Sequence, residues 1–345
     1  MGLWSSKYDY VRTTCGSGWL NVLIDRVNRP IPQVVSDNSM LRFIIRRVVI
    51  IIPMLFIVIS LTWGLVRIAP GNFYSGEKKL APAVEQNLRD KYGLDKPWYV
   101  QYRKVLWNMA RFDFGDSLKY EGQSVNQILF RALPVSAVLG LSAYLLALLV
   151  GITTGTLAAL RQNTWIDYAS MTLAMLGISI PNFVLGPLLV LVFALTLFWL
   201  PPALWQGFPS RSIILPAITL SALYIAYIAR LTRSGMLEVM RSDYIRTARA
   251  KGLSESQVVW RHGLRGGLLP VVSFSGPALA FLITGTVVVE RVFALPGLGN
   301  YFINACFNRD EPLIIGVVAF IAVTVLVFNL LVDIAYGFID PRISY

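Results

Sequence analysis

The chain has 345 residues, of which 55% are hydrophobic and only 14% are charged, and its mean hydropathy is +0.59. Soluble domains carry about 25% charged residues, so this composition excludes a water-soluble globular protein. The formal net charge is +12, which in so apolar a chain indicates a lipid bilayer rather than a nucleic acid as partner. Two cysteines and one histidine are too few for a disulfide framework or a zinc site, so we expect no metal and no cofactor.

Six charge-free runs are long enough, or nearly so, to cross about 30 Å of hydrocarbon as helices. They predict an all-α polytopic membrane protein with spans at about residues 48–66, 132–160, 168–200, 212–229, 266–289 and 312–332. The third run contains Pro181 and Pro187 and could hold two helices by length alone. A seventh span would place a strongly basic segment outside the cell, so we expect six.

The basic residues indicate which loops face the cytoplasm. With six spans, the segment before residue 48 and the segments 161–167, 230–265 and 333–345 share one side and carry 7, 1, 8 and 1 basic residues. The short loops on the opposite side contain only three basic residues, Arg211, Arg291 and Arg309. The positive-inside rule therefore places both termini in the cytoplasm and the long loop 67–131 outside.

Residues 1–39 form a polar cytoplasmic extension to which we assign no function. The first apolar stretch begins near residue 43, beyond the usual start of a signal peptide, so we expect the first span to stay in place. Cys15 falls inside and Cys306 outside, so the two cannot pair. In the outer loop, residues 83–114 predict short amphipathic helices that either rest near lipid headgroups or receive another protein, and the sequence leaves both open.

No ionisable side chain lies in the middle of a span. Ion-coupled carriers usually place such groups at membrane depth, so an ion-coupled secondary transporter is the more distant alternative. Glu290 and Asp333 lie at the ends of spans, where hydration or pairing with a nearby arginine is the simplest expectation. His262 stands alone on a basic loop, so we expect no catalytic residue and no enzyme. Hydroxyls within the spans, such as Thr154 and Thr284, either line a path or bond between helices.

Small residues recur along one face of the second span. Ala147, Gly151, Gly155 and Ala159 are spaced four residues apart. Membrane helices approach each other closely at such stripes, so the spacing predicts helix packing rather than a substrate contact.

The cytoplasmic loop 230–265 is longer and more basic than a simple connection needs. Ser242 is a predicted N-cap, and Gly252 is placed to end that helix in the left-handed conformation. Ser254 and Gln257 have the capping-box spacing that begins a second helix. The first short helix carries cations and small residues, which suit either an acidic protein partner or anionic lipid.

The string Tyr244-Ile245-Arg246-Thr247-Ala248-Arg249-Ala250-Lys251-Gly252 resembles the cytoplasmic-loop motif of bacterial ABC importer membrane subunits, in the version of peptide permeases. Further strings, in order, resemble the B-type subunit of oligopeptide and dipeptide importers: Ala69 to Gly71, Asp113 to Ser117, Gly285 to Glu290, Pro296 to Gly299, Asn329 to Asp333 and Asp340 to Arg342. The resemblance covers residues 40–345. It departs from the general motif, which opens with Glu-Ala-Ala and has proline at the position of Arg265.

The resemblance implies a type I ABC importer permease fold and the role of membrane-spanning translocation subunit of an oligopeptide importer, forming half of the pore. The implied partners are a second permease subunit, two cytoplasmic ATP-binding subunits and an extracytoplasmic peptide-binding protein. Similar subunits serve dipeptide, nickel and glutathione importers, so the cargo stays open. The sequence has no G-x-x-x-x-G-K-[ST] string, so ATP hydrolysis is assigned to the cytoplasmic partners. The resemblance places this chain itself in the bacterial inner membrane.

In that family the cytoplasmic loop forms a coupling helix seated in a groove of the ATPase. The ATPase-coupling residues implied here are Tyr244, Arg246, Thr247, Ala248, Arg249, Ala250, Lys251 and Gly252.

Overall fold

A computed structural model describes residues 37–69, 86, 95–202, 205–207 and 210–339. Most of the N-terminal extension with Cys15, and the motif strings at 70–71 and 340–342, lie outside these residues. The described residues are mainly helical and contain no strand beyond a single bridge between Asp116 and Ser124. The all-α prediction is therefore confirmed.

The described helices are numbered in chain order. They are α1 Asp37–Ile68, α2 Trp98–Ala110, α3 Val125–Leu160, α4 Trp165–Ser179, α5 Asn182–Leu189, α6 Ile214–Val239, α7 Asp243–Ala250, α8 Glu255–Gln257, α9 Leu264–Gly267, α10 Leu269–Ile283, α11 Val287–Val292, α12 Leu298–Asn308 and α13 Glu311–Ile339. The π-helical segment Val190–Thr196 extends α5, and a second one, Val258–Gly263, joins α8 to α9. A 3-10 turn, Arg211–Ile213, precedes α6.

Five of these helical stretches are long and apolar enough to cross a membrane, and α4 with α5 adds a sixth if a bent pair counts as one span. Several helices are longer than the apolar runs that predict them. The helix α3 begins at Val125 because Ser124 and Gln127 form a capping box there, and α6 continues to Val239. An apolar run marks the part of a helix suited to lipid, whereas hydrogen bonding and caps set where the helix itself begins and ends.

Two predicted spans are interrupted. The third bends by 104° between α4 and α5, where Ile180 is extended before Pro181, as the residue before a proline prefers. Pro187 lies inside α5. The fifth breaks between α10 and α11, where Gly285 has a φ of +96°.

The centre of the bundle is the packing of α3 against α6. A Cβ on Gly155 would lie 2.4 Å from the carbonyl oxygen of Ala229, and one on Gly151 would lie 2.8 Å from the side chain of Ile228. Only glycine permits backbones to approach this closely. The predicted role of the small-residue stripe in helix packing is confirmed.

The two carboxylates at the ends of spans differ in their surroundings. Asp333 on α13 lies 3.1 Å from Arg47 on α1, so the expected arginine partner is present. Glu290 on α11 is fully buried. It accepts hydrogen bonds from the Ser136 hydroxyl at 2.7 Å and from the backbone N–H of Asn300 at 3.0 Å. The expectation of hydration or an arginine partner is therefore wrong for Glu290, whose carboxylate joins α3 to the segment around α12.

Candidate coupling site

The sequence-predicted site lies on α7, the short helix that follows α6. Ser242 stands at the predicted N-cap position, but its hydroxyl donates to the Val239 carbonyl at 2.6 Å rather than accepting from the new helix. Asp243 occupies the first turn, where a negative charge is favourable near the helix N-terminus. The serine thus ties the start of α7 to the end of α6.

The end of α7 is fixed by a left-handed glycine, as the sequence predicts. Gly252 has a φ of +78°, and its amide donates to the Arg249 carbonyl at 2.9 Å. The amide of Leu253 donates to the Ala248 carbonyl at 3.4 Å. These two bonds are those of a Schellman motif, in which carbonyls left free at the helix end find donors.

A second helical stretch begins directly after this turn. Ser254 and Gln257 form the predicted capping box, with bonds of 3.4 and 3.3 Å. Across the turn, the Arg249 guanidinium contacts both carboxylate oxygens of Glu255 at 2.8 and 3.2 Å. Both side chains are exposed, so this pair mainly orients Arg249 and contributes little to stability.

The two faces of α7 have opposite character. Ile245 and Ala248 are buried and pack on Val258 with Val239, Met240 and Leu253. The outward residues are exposed: Tyr244, Arg246, Thr247, Arg249, Ala250, Lys251 and Gly252. Of the eight predicted coupling residues, the structure therefore brings seven to the surface together. Ala248 is the eighth and lies on the inner face, where its small side chain lets α7 pack closely against Val258.

The bundle beneath α7 is closely packed. A Cβ on Gly235 of α6 would lie 2.2 Å from the carbonyl oxygen of Gly267 at the end of α9. Met236 is fully buried in a cluster with Ala159 and Leu264. The helices α6 and α9 therefore form one closely packed unit beneath α7, and protein interiors of this kind resist compression.

An ion pair that the sequence analysis missed lies beside this region. The Arg233 guanidinium on α6 donates to both carboxylate oxygens of Asp167 on α4, each at 2.7 Å. Asp167 is 2% exposed and also accepts from the Asn163 amide at 3.0 Å. The only sequence signal is that Asp167 directly precedes the apolar run that begins at residue 168, while Arg233 lies one turn past the run that ends at residue 229. The pair fastens the turn between α3 and α4 to α6.

Hydroxyls within the spans mostly bond to their own helices. Thr154, Ser179 and Thr284 each donate to a carbonyl about one turn earlier. Among the described residues, no group of three or more histidine, cysteine or acidic side chains is arranged to hold a metal ion.

A helical chain with membrane-crossing segments and a basic helix exposed at one end of the bundle defines a polytopic membrane component. Sequence profiles identify the class. Residues 151–345 match the family described as binding-protein-dependent transport system inner membrane component, and residues 40–138 match the N-terminal domain of such membrane components. The chain belongs to this family, and is thus a multi-pass inner-membrane transport component.

Individual relatives narrow the comparison. The chain is 45% identical over 306 residues to the oligopeptide transport system permease protein OppB of Haemophilus influenzae, covering 89% of this chain and 100% of that one. Its identity to the dipeptide transport system permease protein DppB of Bacillus subtilis is 43%, covering 88% and 98%. A solved structure of the MetNI methionine ABC transporter in an inward-facing conformation is 17% identical, with a TM-score of 0.49 over 62% of this chain and 97% of that one.

Proposed function

We propose that the chain is the membrane-spanning translocation subunit of an ATP-driven oligopeptide importer, and that α7 is its coupling helix. The observation that carries this is the two-sided build of α7. Its inner face is locked to α6 and the segment after Gly252, while its outer face presents small residues and three cations. A rigid knob of this kind suits a groove in another protein.

The mechanism uses α7 as a lever. Two cytoplasmic ATP-binding subunits would close on ATP, carry α7 with them and tilt α6 and α10. Closely packed bundles move between discrete arrangements rather than bending continuously, so the motion exchanges inward-open and outward-open cavities. This chain and a second permease subunit would each form half of the pore, and an extracytoplasmic binding protein would deliver the cargo.

This role fixes the orientation. The helix α7 must face the cytoplasm, which places both termini there as well. The basic residues between 230 and 265 support that side because positively charged loops stay in the cytoplasm. The region around α2 and α12 then faces outward.

Oligopeptides are the proposed cargo because a relative of that name matches over its full length. Dipeptides are the second candidate, supported by the similar identity to the dipeptide permease. Nickel and glutathione importers stay as further alternatives from the family resemblance. The test is ATP hydrolysis by the reconstituted complex with its binding protein. Stimulation by penta- or hexapeptides is expected. A response to dipeptides, nickel or glutathione instead would reassign the cargo.

Coupling itself is tested by cross-linking. With Ala250 replaced by cysteine, a short bifunctional reagent is expected to join α7 to an ATP-binding subunit, and the yield is expected to persist through the ATP cycle. The matched control is Ala248→Cys, since Ala248 is on the same helix but only 6% exposed. An Ala250→Cys variant that never links to an ATP-binding subunit in an actively transporting complex would contradict the proposal.

A further inference from the structure

The helix α2 carries a regular stripe on its exposed face. Tyr99, Arg103, Trp107 and Arg111 follow one another at intervals of four, so they align along one side of the helix. Tyr99 and Trp107 are each 59% exposed. The segment from Lys96 to Phe112 has no acidic residue. The exposed face therefore alternates aromatic rings with positively charged side chains.

The opposite face of α2 attaches it to the first span. The Tyr102 and Ser60 hydroxyls share a hydrogen bond of 2.6 Å, and the Tyr102 ring lies 5.1 Å from that of Trp63. The Gln101 side chain accepts a hydrogen bond from Arg67. These contacts hold α2 against the side of α1 rather than beyond the C-terminal end of α1.

The anchor points set the depth of α2. Ser60 precedes the end of the first span at Ile68 by eight residues, or about 12 Å of helix. Val105, Leu106 and Met109 pack against Ile59 of α1 and against Ile315 and Ala319, which lie within the span that begins at Glu311. The body of α2 therefore lies alongside the last turns of α1 and the first turns of α13, near one end of two spans.

We propose that the Tyr99-Arg103-Trp107-Arg111 face binds anionic phospholipid headgroups. Trp and Tyr rings favour the headgroup level of a bilayer. Arginine presents paired N–H donors that match phosphate oxygens. The Arg111 guanidinium lies over the Trp107 ring at 4.4 Å from its centroid, which orders both side chains before a lipid arrives. A docking protein is the less favoured occupant, because a face at the depth of the span ends meets lipid first.

That the lipid comes from the outer leaflet follows from the proposed function, which sets the orientation of the chain. The preference for an anionic headgroup does not depend on that orientation. The full chain, purified with its partner subunits in mild detergent, is titrated with dioleoyl phosphatidylglycerol or dioleoyl phosphatidylcholine and followed by native mass spectrometry. We expect tighter binding of the anionic lipid. The double variant R103Q/R111Q should weaken that binding about 30-fold, since each surface cation contributes about 1 kcal/mol.

Two further variants serve as controls. K119Q/R131Q removes two exposed cations elsewhere in the predicted outer region and should leave the lipid preference intact. R103K/R111K keeps the charge and should retain most of it. If R103Q/R111Q does not fold, each single glutamine variant is expected to lower affinity about fivefold.

Equal binding of the two lipids by the unmodified chain would overturn the proposal, as would an unchanged preference in R103Q/R111Q. A variant that binds phosphatidylglycerol normally but loses stimulation of ATP hydrolysis by the binding protein would identify a protein-docking face instead. Absence of peptide transport by the unmodified complex, with its lipid selectivity intact, would count against the proposed function and leave the lipid site standing.

Discussion

Arg233 and Asp167 form a two-point ion pair between α6 and α4, with two nitrogens of one guanidinium each 2.7 Å from a carboxylate oxygen. The Asp167 side chain is 3% exposed and that of Arg233 is 28% exposed. Removing one partner of such a pair leaves the other charge without compensation in a poorly hydrated place. The bond therefore matters most to how firmly the start of α4 is held on α6.

Replacing Asp167 with alanine should lower the free energy of unfolding by about 3 kcal/mol, the lower end for buried pairs, because Arg233 keeps some contact with water. The double variant D167A/R233A should lose less than the sum of the single losses, because it leaves no orphaned charge. Thermal unfolding in mild detergent across this double-mutant cycle measures the difference. Strictly additive losses would mean that the two side chains do not interact.

The turn at Gly252 offers a second test. Its φ of +78° and the open space around its Cα mean that a valine there is strained without clashing. Gly252→Val should disturb the end of α7 at a cost of about 1–2 kcal/mol and reduce peptide-stimulated ATP hydrolysis, with insertion into the membrane unchanged.

Gly122 supplies the matched control. It has a φ of +72° and open space as well, but it lies in the turn before α3, away from α7. Gly122→Val should bring similar local strain with coupling intact. If both variants lose coupled activity equally, strain alone is responsible and Gly252 has no special part in coupling.

The ends of α7 could be predicted from the sequence, whereas the surroundings of Glu290 could not. The two differ in how far apart in the sequence the bonded residues lie. The helix ends at Gly252 and Ser254 depend on bonds between residues at most five apart, so the local string is enough to predict them. Glu290 finds its donor in Ser136, 154 positions earlier. No local pattern carries that contact, so burial without an arginine could not be predicted.

The bundle shows the same division. The runs of apolar residues predicted where helices cross, since backbone hydrogen bonding must be satisfied within lipid. They did not predict the break at Gly285 or the 104° bend before Pro181. A proline can be accommodated within a helix, as Pro187 is, so the consequence of each one depends on packing that the sequence does not display.

The two faces of α7 predict opposite effects for the same substitution. Ala250→Trp adds bulk to an exposed position and should leave the unfolding temperature nearly unchanged while obstructing ATPase docking. Ala248→Trp forces a large ring into the cluster with Ile245 and Val258, and overpacking of this kind costs about 1–3 kcal/mol. Unfolding temperature and co-purification of the ATP-binding subunits separate these outcomes. Stable docking of the Ala250→Trp variant would remove that position from the interface.

Close packing of α3 on α6 predicts a graded series. Gly155→Ala should be the most harmful, because its Cβ would meet the backbone carbonyl of Ala229 at 2.4 Å. Gly151→Ala should cost less, since its Cβ would meet the Ile228 side chain at 2.8 Å and come no closer than 3.1 Å to a backbone carbonyl, that of Ile225. The range expected for such overpacking is about 1–3 kcal/mol. Gly64→Ala on α1 is the control, because nothing lies within 4 Å of the added methyl. Equal unfolding temperatures for all three variants would contradict this packing.

The proposed orientation is tested by labelling Cys306. This thiol is exposed near the end of α12, and partial burial raises its pKa above the usual value. The thiolate is the reactive form, so an impermeant maleimide added to intact cells should label Cys306 slowly at neutral pH and faster as the pH rises. Cys15 should react only after lysis, and Cys15→Ser provides the control that isolates the Cys306 signal. Labelling of Cys15 in sealed cells, or protection of Cys306 until lysis, would reverse the orientation and remove α7 from the cytoplasm.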